Sequence, residues 1–599
     1  MRVLGCAWLA VVGCCCAALH AEAESFIRVN QVGYRPGDVK IAIALGREQL
    51  AEMFELVDAA TGKVAFTAKA RRLTEKWGQF PHHAELDFSA FANEGQYKIR
   101  LDGAQSPAFR IHSAAYAELP DQLLEFMRHQ RCGYNPWVGE VCHSFDGRAA
   151  YGQLPDGSYV DARGGWHDAG DQLKYLITAS NATAQMLLTY QLGTQTADAR
   201  GRPAVQFNDR VNELGQPRPN GIPDLLDEAR WGLDWMLRLH PAPEQLYHQV
   251  ADDRDHAGFR LPHEETVDYG WGRGSYRVVY GADGKPQGLR EFKSKSDGVA
   301  NLAGRYAAAM AIAYQICKDD PHLAGYALQL LQAGKEVYAL GKADEGVQQG
   351  NSYGAPYRYE ESTWADDMEW GAAELFRATG DEHYLADALR YAELAATDGW
   401  MGREKIGHYQ FYPFVNVGHF RLYDLVDDSL KQKLAGYYRE QIEHCVRLSK
   451  DNPYRIGVPF IWCSNNLMVA MVTQCALYER MTGDSHYRAF TANHRDWLLG
   501  RNPWGFSMFT EIPVGGRYPT DVHLFANALL KRSVRGGLVD GPVRRSIFSN
   551  LKGVSITQPD PLAAFQDERA VYHDDIHDYS TNEPTMDGTA SAILMWVVF

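Results

Sequence analysis

Two aspartates three residues apart, Asp168 and Asp171, lie in the stretch Gly164-Gly165-Trp166-His167-Asp168-Ala169-Gly170-Asp171. The small residues between them allow a tight turn and a close approach by a ligand. A helix predicted over 172–191 follows at once, so N–H groups at its start could hold the carboxylates ionised. An ionised, fixed carboxylate can act as a general base. The alternative is that both aspartates only cap the helix.

A second segment that could do chemistry is Asp578-Tyr579-Ser580-Thr581-Asn582-Glu583-Pro584, just before the last predicted helix. A carboxyl group such as that of Glu583, in a partly apolar loop, can acquire a raised pKa and act as a general acid. The alternative is a solvated loop glutamate, which is the usual fate of this residue type. His523 follows a glycine-rich segment, and it could bind a hydroxylated ligand or be an ordinary loop histidine.

Two cysteines and two histidines form a candidate metal set: Cys132, Cys142, His143 and His167. Two thiolates and two imidazoles complete a tetrahedral zinc site. Such a closed site leaves no position for substrate, so this zinc would be structural. A disulfide between Cys132 and Cys142 is the alternative in an exported protein, and the spacing alone leaves both interpretations open.

The rest of the chain must position these residues. Its first part, 24–112, is predicted to form short strands. Many of its segments alternate in polarity and are separated by Gly, Pro and Asp turns. An antiparallel β-sandwich of immunoglobulin type fits this length. The segment clusters no catalytic residue types, so we expect a structural role.

The second part, 113–599, is predicted to be almost entirely helical. A repeated motif, Thr379–Tyr384 and Thr482–Tyr487, ends one helix with a Gly and starts the next with an Asp cap. Repeated helical hairpins favour an α/α toroid of about twelve helices. The segments with apolar residues at helical spacing are 119–131, 222–239, 300–317, 324–340, 368–379, 384–396, 430–448, 465–481 and 487–499.

The N-terminus and the overall charge indicate where the protein works. Residues 1–23 have the pattern of a signal peptide, with cleavage after Ala21 or Ala23. The protein is therefore expected to be secreted or periplasmic, although Val11-Val12-Gly13-Cys14 resembles a lipoprotein processing site and makes an outer-membrane lipoprotein an alternative. No later stretch is apolar enough to span a membrane. The formal net charge of −15 argues against nucleic acid as a partner.

Taken together, these stretches resemble glycoside hydrolase family 9, the inverting endo-β-1,4-glucanases, in the subgroup with an N-terminal immunoglobulin-like domain. The resemblance implies an (α/α)6 barrel with an open cleft. It implies that Asp171 is the general base, that Asp168 helps to hold the attacking water and that Glu583 is the general acid. The motifs that carry it are Asn30–Tyr34, Arg131–Gly133, Cys142-His143, Gly164–Asp171, Asn220–Glu228, Gly500–Pro503 and Asp578–Glu583.

The resemblance also implies ligands beyond the catalytic residues. It favours a structural zinc on Cys132, Cys142, His143 and His167. Calcium is common in the family, and Asp366 and Asp367 are candidates for it. His523 matches a histidine of the family's cleft, but its neighbours in Val522-His523-Leu524-Phe525 depart from the usual His-His-Arg, which puts the preferred glucan in doubt. The other expected substrate-binding residues, chosen as cleft neighbours or as aromatics that can stack on sugars, are Asp578, Tyr579, Trp271, Trp364, Trp462 and Trp504.

The expected function is that of a monomeric, exported endoglucanase acting on cellulose, mixed-linkage glucan or xyloglucan. One alternative is an exo-acting enzyme of the same fold that releases glucose or glucosamine from chain ends. Another is a carbohydrate-binding protein without activity. The joint presence of Asp168, Asp171 and Glu583 argues against the last, because a binding module needs neither an acid nor a base.

Overall fold

The computed structural model describes residues 25–194, 205, 207–355, 357–403 and 405–599. The predicted leader over 1–23 and the lipoprotein-like Cys14 lie outside the described residues. Across the described ranges, no helix is both long enough and apolar enough to cross a bilayer.

The first part of the chain is a sandwich of two antiparallel sheets. One sheet has the order β1-β2-β6-β5, and the other has the order β4-β3-β7-β8 with β9 on β7. In β7 every second side chain from Tyr97 to Leu101 is buried between the sheets, as expected for period-two alternation. The strands are β1 Ser25–Arg28, β2 Ile41–Gly46, β3 Met53–Asp58, β4 Val64–Lys69, β5 Arg71–Leu73, β6 His82–Asp87, β7 Gly95–Leu101, β8 Ala104–Gln105 and β9 Phe109–Ile111.

The second part is helical, with short strands in its loops. Its helices are α1 Leu119–His129, α2 Leu176–Thr194, α3 Asp224–Arg238, α4 Ala300–Cys317, α5 Ala324–Ala343, α6 Ala365–Thr379, α7 Glu382–Ala395, α8 Val417–Tyr423, α9 Asp428–Leu448, α10 Ser464–Thr482, α11 Arg488–Leu498, α12 Phe525–Leu530, α13 Arg545–Phe548 and α14 Met586–Val598. Its strands are β10 Tyr134–Asn135, β11 Glu140–Val141, β12 Asp146–Ala150, β13 Lys174–Tyr175, β14 Tyr247–Val250, β15 Arg277–Gly281, β16 Leu538–Val539 and β17 Pro584–Thr585.

Six helices form a closed inner ring in which α14, α2, α4, α6, α8 and α10 each contact the next and α10 contacts α14 again. An outer layer of α1, α3, α5, α7, α9 and α11 packs against this ring. The inner helices are buried over most of their length: in α4 all residues from Ala300 to Ala313 are buried, as expected for a helix surrounded by others. The predicted (α/α)6 barrel is confirmed.

The helix boundaries follow the predicted signals closely, with one exception. Gly380 and Gly483 end α6 and α10 in the left-handed conformation, at φ 71° and 73°. Asp381 then caps α7 by accepting a bond from the His383 N–H at 3.0 Å. The helix predicted over 172–191 starts later than expected, because β13 first pairs with β14 and α2 begins only at Leu176.

The sandwich and the barrel share buried residues. Trp77 from the sandwich packs edge-on against Tyr454, Trp497 and Trp504 of the barrel, with ring centroids 5.6 to 6.3 Å apart. Its indole N–H donates to the Phe565 carbonyl at 2.9 Å. Trp77 therefore belongs to the barrel's hydrophobic core, whereas most sandwich side chains form a core of their own.

Candidate active site

The stretch 164–171 is tied to the chain segment that follows α1. The Cys132 N–H donates to the Gly165 carbonyl at 2.8 Å, and the His167 N–H donates to the Gln130 carbonyl at 2.7 Å. Gly165 has φ +75°, and a Cβ at this position would lie 2.8 Å from Cγ of the Trp235 ring. Glycine is needed here both for the backbone conformation and for the close packing.

Asp168 is buried and held by two hydroxyl groups. Its carboxylate accepts hydrogen bonds from the Thr178 hydroxyl at 3.1 Å and from the Tyr359 hydroxyl. The Tyr359 ring is stacked on Tyr409, with centroids 4.1 Å apart. Burial, reinforced by the charge of Asp171, raises the pKa of Asp168 well above its ordinary value. Asp168 is therefore held in one orientation beside Asp171.

Asp171 lies closer to the protein surface than Asp168, with its side chain 11% exposed. One carboxylate oxygen accepts the Leu173 N–H at 2.9 Å, and the other lies 3.3 Å from His256 Nε2. Because α2 begins three residues after Leu173, Asp171 does not cap that helix. Its second carboxylate oxygen instead contacts His256.

His256 is a site residue that sequence reasoning missed, because no spacing along the chain connects it with Asp171. Its ring contacts Tyr357 edge-on at 4.7 Å. Burial alone would lower the pKa of His256, but the hydrogen bond and charge of Asp171 outweigh burial and raise it. The imidazolium form is thus favoured beside the carboxylate.

Glu583 makes a direct hydrogen bond to the stretch 164–171. The Gly170 N–H, between the two aspartates, donates to Glu583 Oε1 at 2.9 Å across 413 residues of sequence. The backbone of Glu583 is held by the Asp540 N–H at 2.9 Å, next to the β16–β17 pair. Burial raises the pKa of Glu583 well above its ordinary value, and the nearby charges of Asp540 and Asp171 raise it further.

Glu583 and Asp171 differ in environment. Glu583 is half-buried and its raised pKa favours the protonated form, whereas Asp171 accepts a backbone N–H and contacts a histidine. A protonated carboxyl beside an ionised one is the pair required for hydrolysis with a general acid and a general base.

The candidate metal ligands come together in one cluster. Cys132, Cys142, His143 and His167 are buried, and one ligand atom from each lies within 4.8 Å of all the others. His143 Nδ1 is 3.6 Å from the Cys132 sulfur, and His167 Nε2 is 3.9 Å from the Cys142 sulfur. Neither cysteine forms a disulfide. The donor set therefore fits a metal ion.

The outer nitrogen of His143 has a partner of its own. His143 Nε2 lies 3.2 Å from Glu265 Oε2. Histidine ligands usually bond a carboxylate through the nitrogen that does not face the metal, which orients the ring. This contact leaves His143 Nδ1 to face the other three ligands.

Three of the expected substrate-binding residues lie beside Glu583. His523 Nδ1 is 2.6 Å from the Ile576 carbonyl, and burial lowers the pKa of this histidine. The His523 ring contacts Phe259 at 4.5 Å and Tyr579 at 6.2 Å. Trp462 is half-buried and lies 5.7 Å from Tyr579 between ring centroids. These rings form one wall near the acid.

The remaining expected substrate-binding residues lie elsewhere. Trp504 is 0% exposed, and its indole N–H donates to Gln566. The prediction that Trp504 binds substrate was therefore wrong, because no face of the ring can reach a sugar. Asp578 is also fully buried and accepts bonds from Ser580, Thr581 and His573, so it shapes the turn before Glu583. Trp364 packs on Tyr391, and Trp271 is 37% exposed on a loop near Gly157.

The expected calcium residues lie at the start of α6. Asp367 is buried and accepts a bond from Arg305 at 2.9 Å, so a guanidinium already compensates its charge. Across the described part of the chain, the Cys/His cluster is the one group of three or more ligand residues close enough to hold a metal. The calcium site stays a prediction.

Comparisons with known proteins agree with this geometry. The family model described as "Glycosyl hydrolase family 9" matches residues 116–596, and that described as "Cellulase N-terminal ig-like domain" matches 22–106. The chain is 27% identical to Endoglucanase C of Cellulomonas fimi over 95% of its own length, but it spans about half of that protein (51%). It is also 27% identical to the xyloglucan-specific endo-beta-1,4-glucanase BoGH9A of Bacteroides ovatus, with 88% of this chain and 87% of that protein covered.

A solved structure shares the fold along nearly the whole chain. The crystal structure of a metagenome-derived glycoside hydrolase family 9 endoglucanase superposes with a TM-score of 0.73 at 24% identity, covering 96% of this chain and 98% of that one. Because the family model spans most of the sequence, the chain belongs to glycosyl hydrolase family 9.

Proposed function

We propose that this chain is an inverting endo-β-1,4-glucanase that cleaves internal bonds of a plant-type β-glucan. The observation that carries the proposal is the 2.9 Å hydrogen bond from the Gly170 N–H to Glu583 Oε1. It joins the two aspartates and the glutamate in one site. The endoglucanase names of the relatives support the same substrate class.

In the proposed reaction Glu583 is the acid and Asp171 is the base. Glu583 gives its proton to the glycosidic oxygen as the bond between that oxygen and the anomeric carbon breaks. A water molecule attacks the anomeric carbon from the opposite face and loses a proton to Asp171. Inversion requires the acid and base carboxyls to be roughly 6.5–9.5 Å apart, which leaves room for the water.

Supporting residues have distinct tasks in this proposal. Asp168, oriented by Thr178 and Tyr359, helps to hold the attacking water. His256 holds Asp171 through its second oxygen. The aromatic wall of Trp462 and Tyr579, together with His523, contacts sugar rings, whose C–H faces are apolar.

The direct test is a panel of β-glucans (cellulose, mixed-linkage glucan and xyloglucan) assayed for new reducing ends, with the products sized. Endo cleavage lowers solution viscosity early, before many reducing ends appear. A slow viscosity change with glucose as the first product would instead indicate an exo-acting enzyme. Binding without any new reducing ends would indicate an inactive carbohydrate-binding protein. The Glu583→Gln variant is the matched inactive control.

We propose that the Cys/His cluster binds a structural zinc ion. Two thiolates and two imidazoles are a common tetrahedral zinc set, and the contact of Glu265 with His143 suits a metal-bound histidine. The zinc would tie the segment after α1 to the 164–171 stretch. It would take no part in bond cleavage, because four protein ligands leave no open position.

We further propose that the enzyme is exported and works as a monomer. The leader-like sequence over 1–23 supports export. N-terminal sequencing of the mature protein and size-exclusion chromatography with light scattering test the two statements separately.

A further inference from the structure

Several exposed aromatic side chains lie outside the site described above. The Phe145 side chain is 53% exposed, and that of Tyr159 is 50% exposed. Single exposed apolar side chains are normal on protein surfaces, whereas a contiguous group of them marks a surface that binds a ligand or a partner. The contacts among these rings therefore decide whether they need an explanation.

Tyr276 joins the two exposed rings into one surface. Its half-buried ring contacts Phe145 at 5.5 Å and Tyr159 at 6.2 Å between centroids, with interplanar angles of 63° and 73°. The guanidinium of Arg148 lies over the Tyr276 ring, 4.0 Å from its centroid, and holds the central ring in place. Phe145, Tyr159 and Tyr276 are called the aromatic patch below.

A third exposed ring borders the aromatic patch. Trp271 is 37% exposed, and a Cβ built at Gly157 would lie 4.0 Å from its Nε1. Gly157 is two residues before Tyr159 in the sequence. The border of the patch therefore includes one of the aromatics that the sequence predicted to bind substrate.

The sheet β12-β15-β14-β13 connects the aromatic patch to the proposed base. Lys174 of β13 and Val279 of β15 both pair with Val250 of β14. Asp171 precedes Lys174 by three residues, and Tyr276 likewise comes three residues before the β15 partner. Both residues therefore lie at the same end of the sheet. The strands that follow them are two spacings, or about 10 Å, apart.

Tyr276 also lies on the face of the sheet that borders the site. Alternation along an extended chain puts Tyr276 on the same face as Tyr280 of β15. Tyr280 is aligned with Tyr175 of β13 across the strand between them. The Tyr175 ring contacts Tyr359 at 4.7 Å, and the Tyr359 hydroxyl binds Asp168. One face of the sheet thus leads from the patch to the catalytic aspartates.

One loop runs from the site to the aromatic patch. In the connection between β14 and β15, His256 contacts Asp171, with 3.3 Å between Nε2 and the carboxylate. Three residues later Phe259 contacts His523 at 4.5 Å between ring centroids. The same connection ends at Tyr276, in the centre of the patch. The patch is therefore continuous with the site along the chain as well as along the sheet.

The chemistry of the aromatic patch suits sugar rings. The C–H faces of a pyranose are apolar and can stack on Phe145 and Tyr159. The Tyr159 hydroxyl and the Arg148 guanidinium are groups that hydrogen-bond to sugar hydroxyls. A polymer bound at Asp171 continues beyond the cleaved bond, so its further sugars need a surface within reach of the base. The patch offers such a surface.

We propose that the aromatic patch binds β-glucan at sugars distant from the cleaved bond, with Phe145 and Tyr159 as the stacking platforms. This inference rests on the proposed function for the identity of the ligand, and it deepens that function. The residues around Asp171 and Glu583 act on the cleaved bond, and the patch holds the rest of the chain. It therefore matters for polymers and not for short substrates.

Kinetics on two substrates of different length test this division. Phe145→Ala and Tyr159→Ala should each raise KM for a soluble polymeric β-glucan by about 2- to 10-fold, the effect of one lost aromatic contact, with kcat unchanged. On a chromogenic aryl β-cellobioside, which is too short to reach the patch, both constants should stay the same. Leu328→Ala, which removes a 62% exposed side chain from α5, is the matched control and should change neither.

A binding measurement that needs no activity accompanies the kinetics. In native gels cast with soluble mixed-linkage glucan or xyloglucan, Glu583→Gln protein should be retarded relative to a gel without polymer. Adding Phe145→Ala or Tyr159→Ala to this background should reduce the retardation, and adding Leu328→Ala should not. Because Phe145 is two residues from His143, the zinc content and Tm of each variant are measured, and Tyr159→Ala gives a result independent of the Cys/His cluster.

The possible outcomes are distinct. Unchanged polymer KM and unchanged gel retardation in both variants overturn the inference. An equal rise in KM for the polymer and the aryl cellobioside also overturns it, because the lost contact would then lie next to the cleaved bond. A protein that hydrolyses none of the glucans but loses retardation in Tyr159→Ala refutes the proposed function and leaves the patch standing. A protein that neither hydrolyses nor binds any of them overturns both proposals.

Discussion

At the level of single residues, three carboxyl groups of similar chemistry have different surroundings, which is the basis of their proposed roles. Glu583 is half-buried and has one donor, Asp168 accepts bonds from two hydroxyl groups, and Asp171 contacts His256. Buried carboxyls without positive partners retain protons, whereas donors and cations favour ionisation. These contacts support the proposed division into acid, water-holding residue and base.

We predict that Glu583→Gln and Asp171→Asn each lower kcat by at least about 10²–10⁴-fold, the usual contribution of a general acid or base. Both changes keep the size of the side chain, so circular dichroism and the unfolding midpoint should stay near those of the unsubstituted protein. The assay is release of reducing ends from soluble β-glucan. Near-normal turnover in either variant would remove that residue from its assigned role.

The His256–Asp171 pair predicts how stability depends on pH. The folded-state pKa of His256 is raised above its ordinary 6.5 by Asp171, against the effect of burial. Its stabilising contribution is therefore fully present below that ordinary value and is lost as pH rises through the higher folded-state value. The difference in Tm between the unsubstituted protein and His256→Asn should be largest in acid and shrink toward alkaline pH. A difference that does not vary with pH would contradict the pairing.

At the level of secondary-structure elements, the short segments between helices set the geometry of the site. The turn at 168–171 leads into β13 rather than directly into α2, and β17 brings Glu583 to it. Gly170 lies at the contact between them. A Cβ at Gly170 would lie 2.7 Å from Glu583 Oε1 and would also overlap the carbonyl oxygen of His523.

We predict that Gly170→Ala destabilises the protein by about 1–3 kcal/mol, the usual result of overpacking. It should also lower kcat, because the aspartates and Glu583 are pushed apart. Urea unfolding and kcat on a soluble glucan measure the two effects. Gly436→Ala, on α9 with nothing within 4 Å of the added carbon, is the control: it should leave kcat unchanged and, because alanine favours the helix, raise stability by up to about 1 kcal/mol. A fully active Gly170→Ala would show that this contact is not part of the site.

The Cys/His cluster brings the segment that follows α1 close to the same turn. This arrangement leads to a prediction about the metal content of the protein. Purified protein should contain about one zinc per chain. Cys142→Ser should lose the zinc and lower Tm, while activity measured well below Tm falls only as the turn loosens. The control is Cys475→Ser, a buried cysteine of α10 away from the cluster, which should keep the zinc. A Cys132–Cys142 disulfide found by mass spectrometry would contradict the proposal.

At the level of the whole molecule, the sandwich is part of the barrel's structure rather than an appended module. Trp77 is buried among barrel aromatics, and Asn30 donates to Asp496 of α11 at 2.9 Å. Buried contacts of this kind couple the unfolding of one part to the other. The sandwich holds the segment between α11 and α12, which leads toward His523.

We predict that the two parts unfold together in one calorimetric transition and that Trp77→Ala destabilises both by about 3–5 kcal/mol, as for other large core truncations. Phe54→Ala, a truncation inside the sandwich's own core, should lower the same single transition. Two separate transitions in either variant would show that the sandwich folds independently of the barrel.

The resemblance to the family, rather than spacing alone, favoured the zinc set and the catalytic carboxyl groups over their alternatives. The order of amino acids was sufficient by itself for the helical periodicity and for the Gly and Asp signals at helix ends. These features depend on neighbours within a few residues, and the helical spacing over 300–317 coincides with α4. The same logic failed at 172–175, because the pairing of β13 with β14 is a long-range contact that local spacing does not contain.

The meeting of distant segments depends on closure of the ring. The first and last inner helices, α2 and α14, become neighbours, so the residues just before each of them, Asp171 and Glu583, reach one site. No local pattern marks His256, Tyr359 or Asp540 as their partners, and none marks Trp504 as fully buried. Those contacts follow from which surfaces the closed barrel covers, and burial and contact in turn support the role proposed for each carboxyl group.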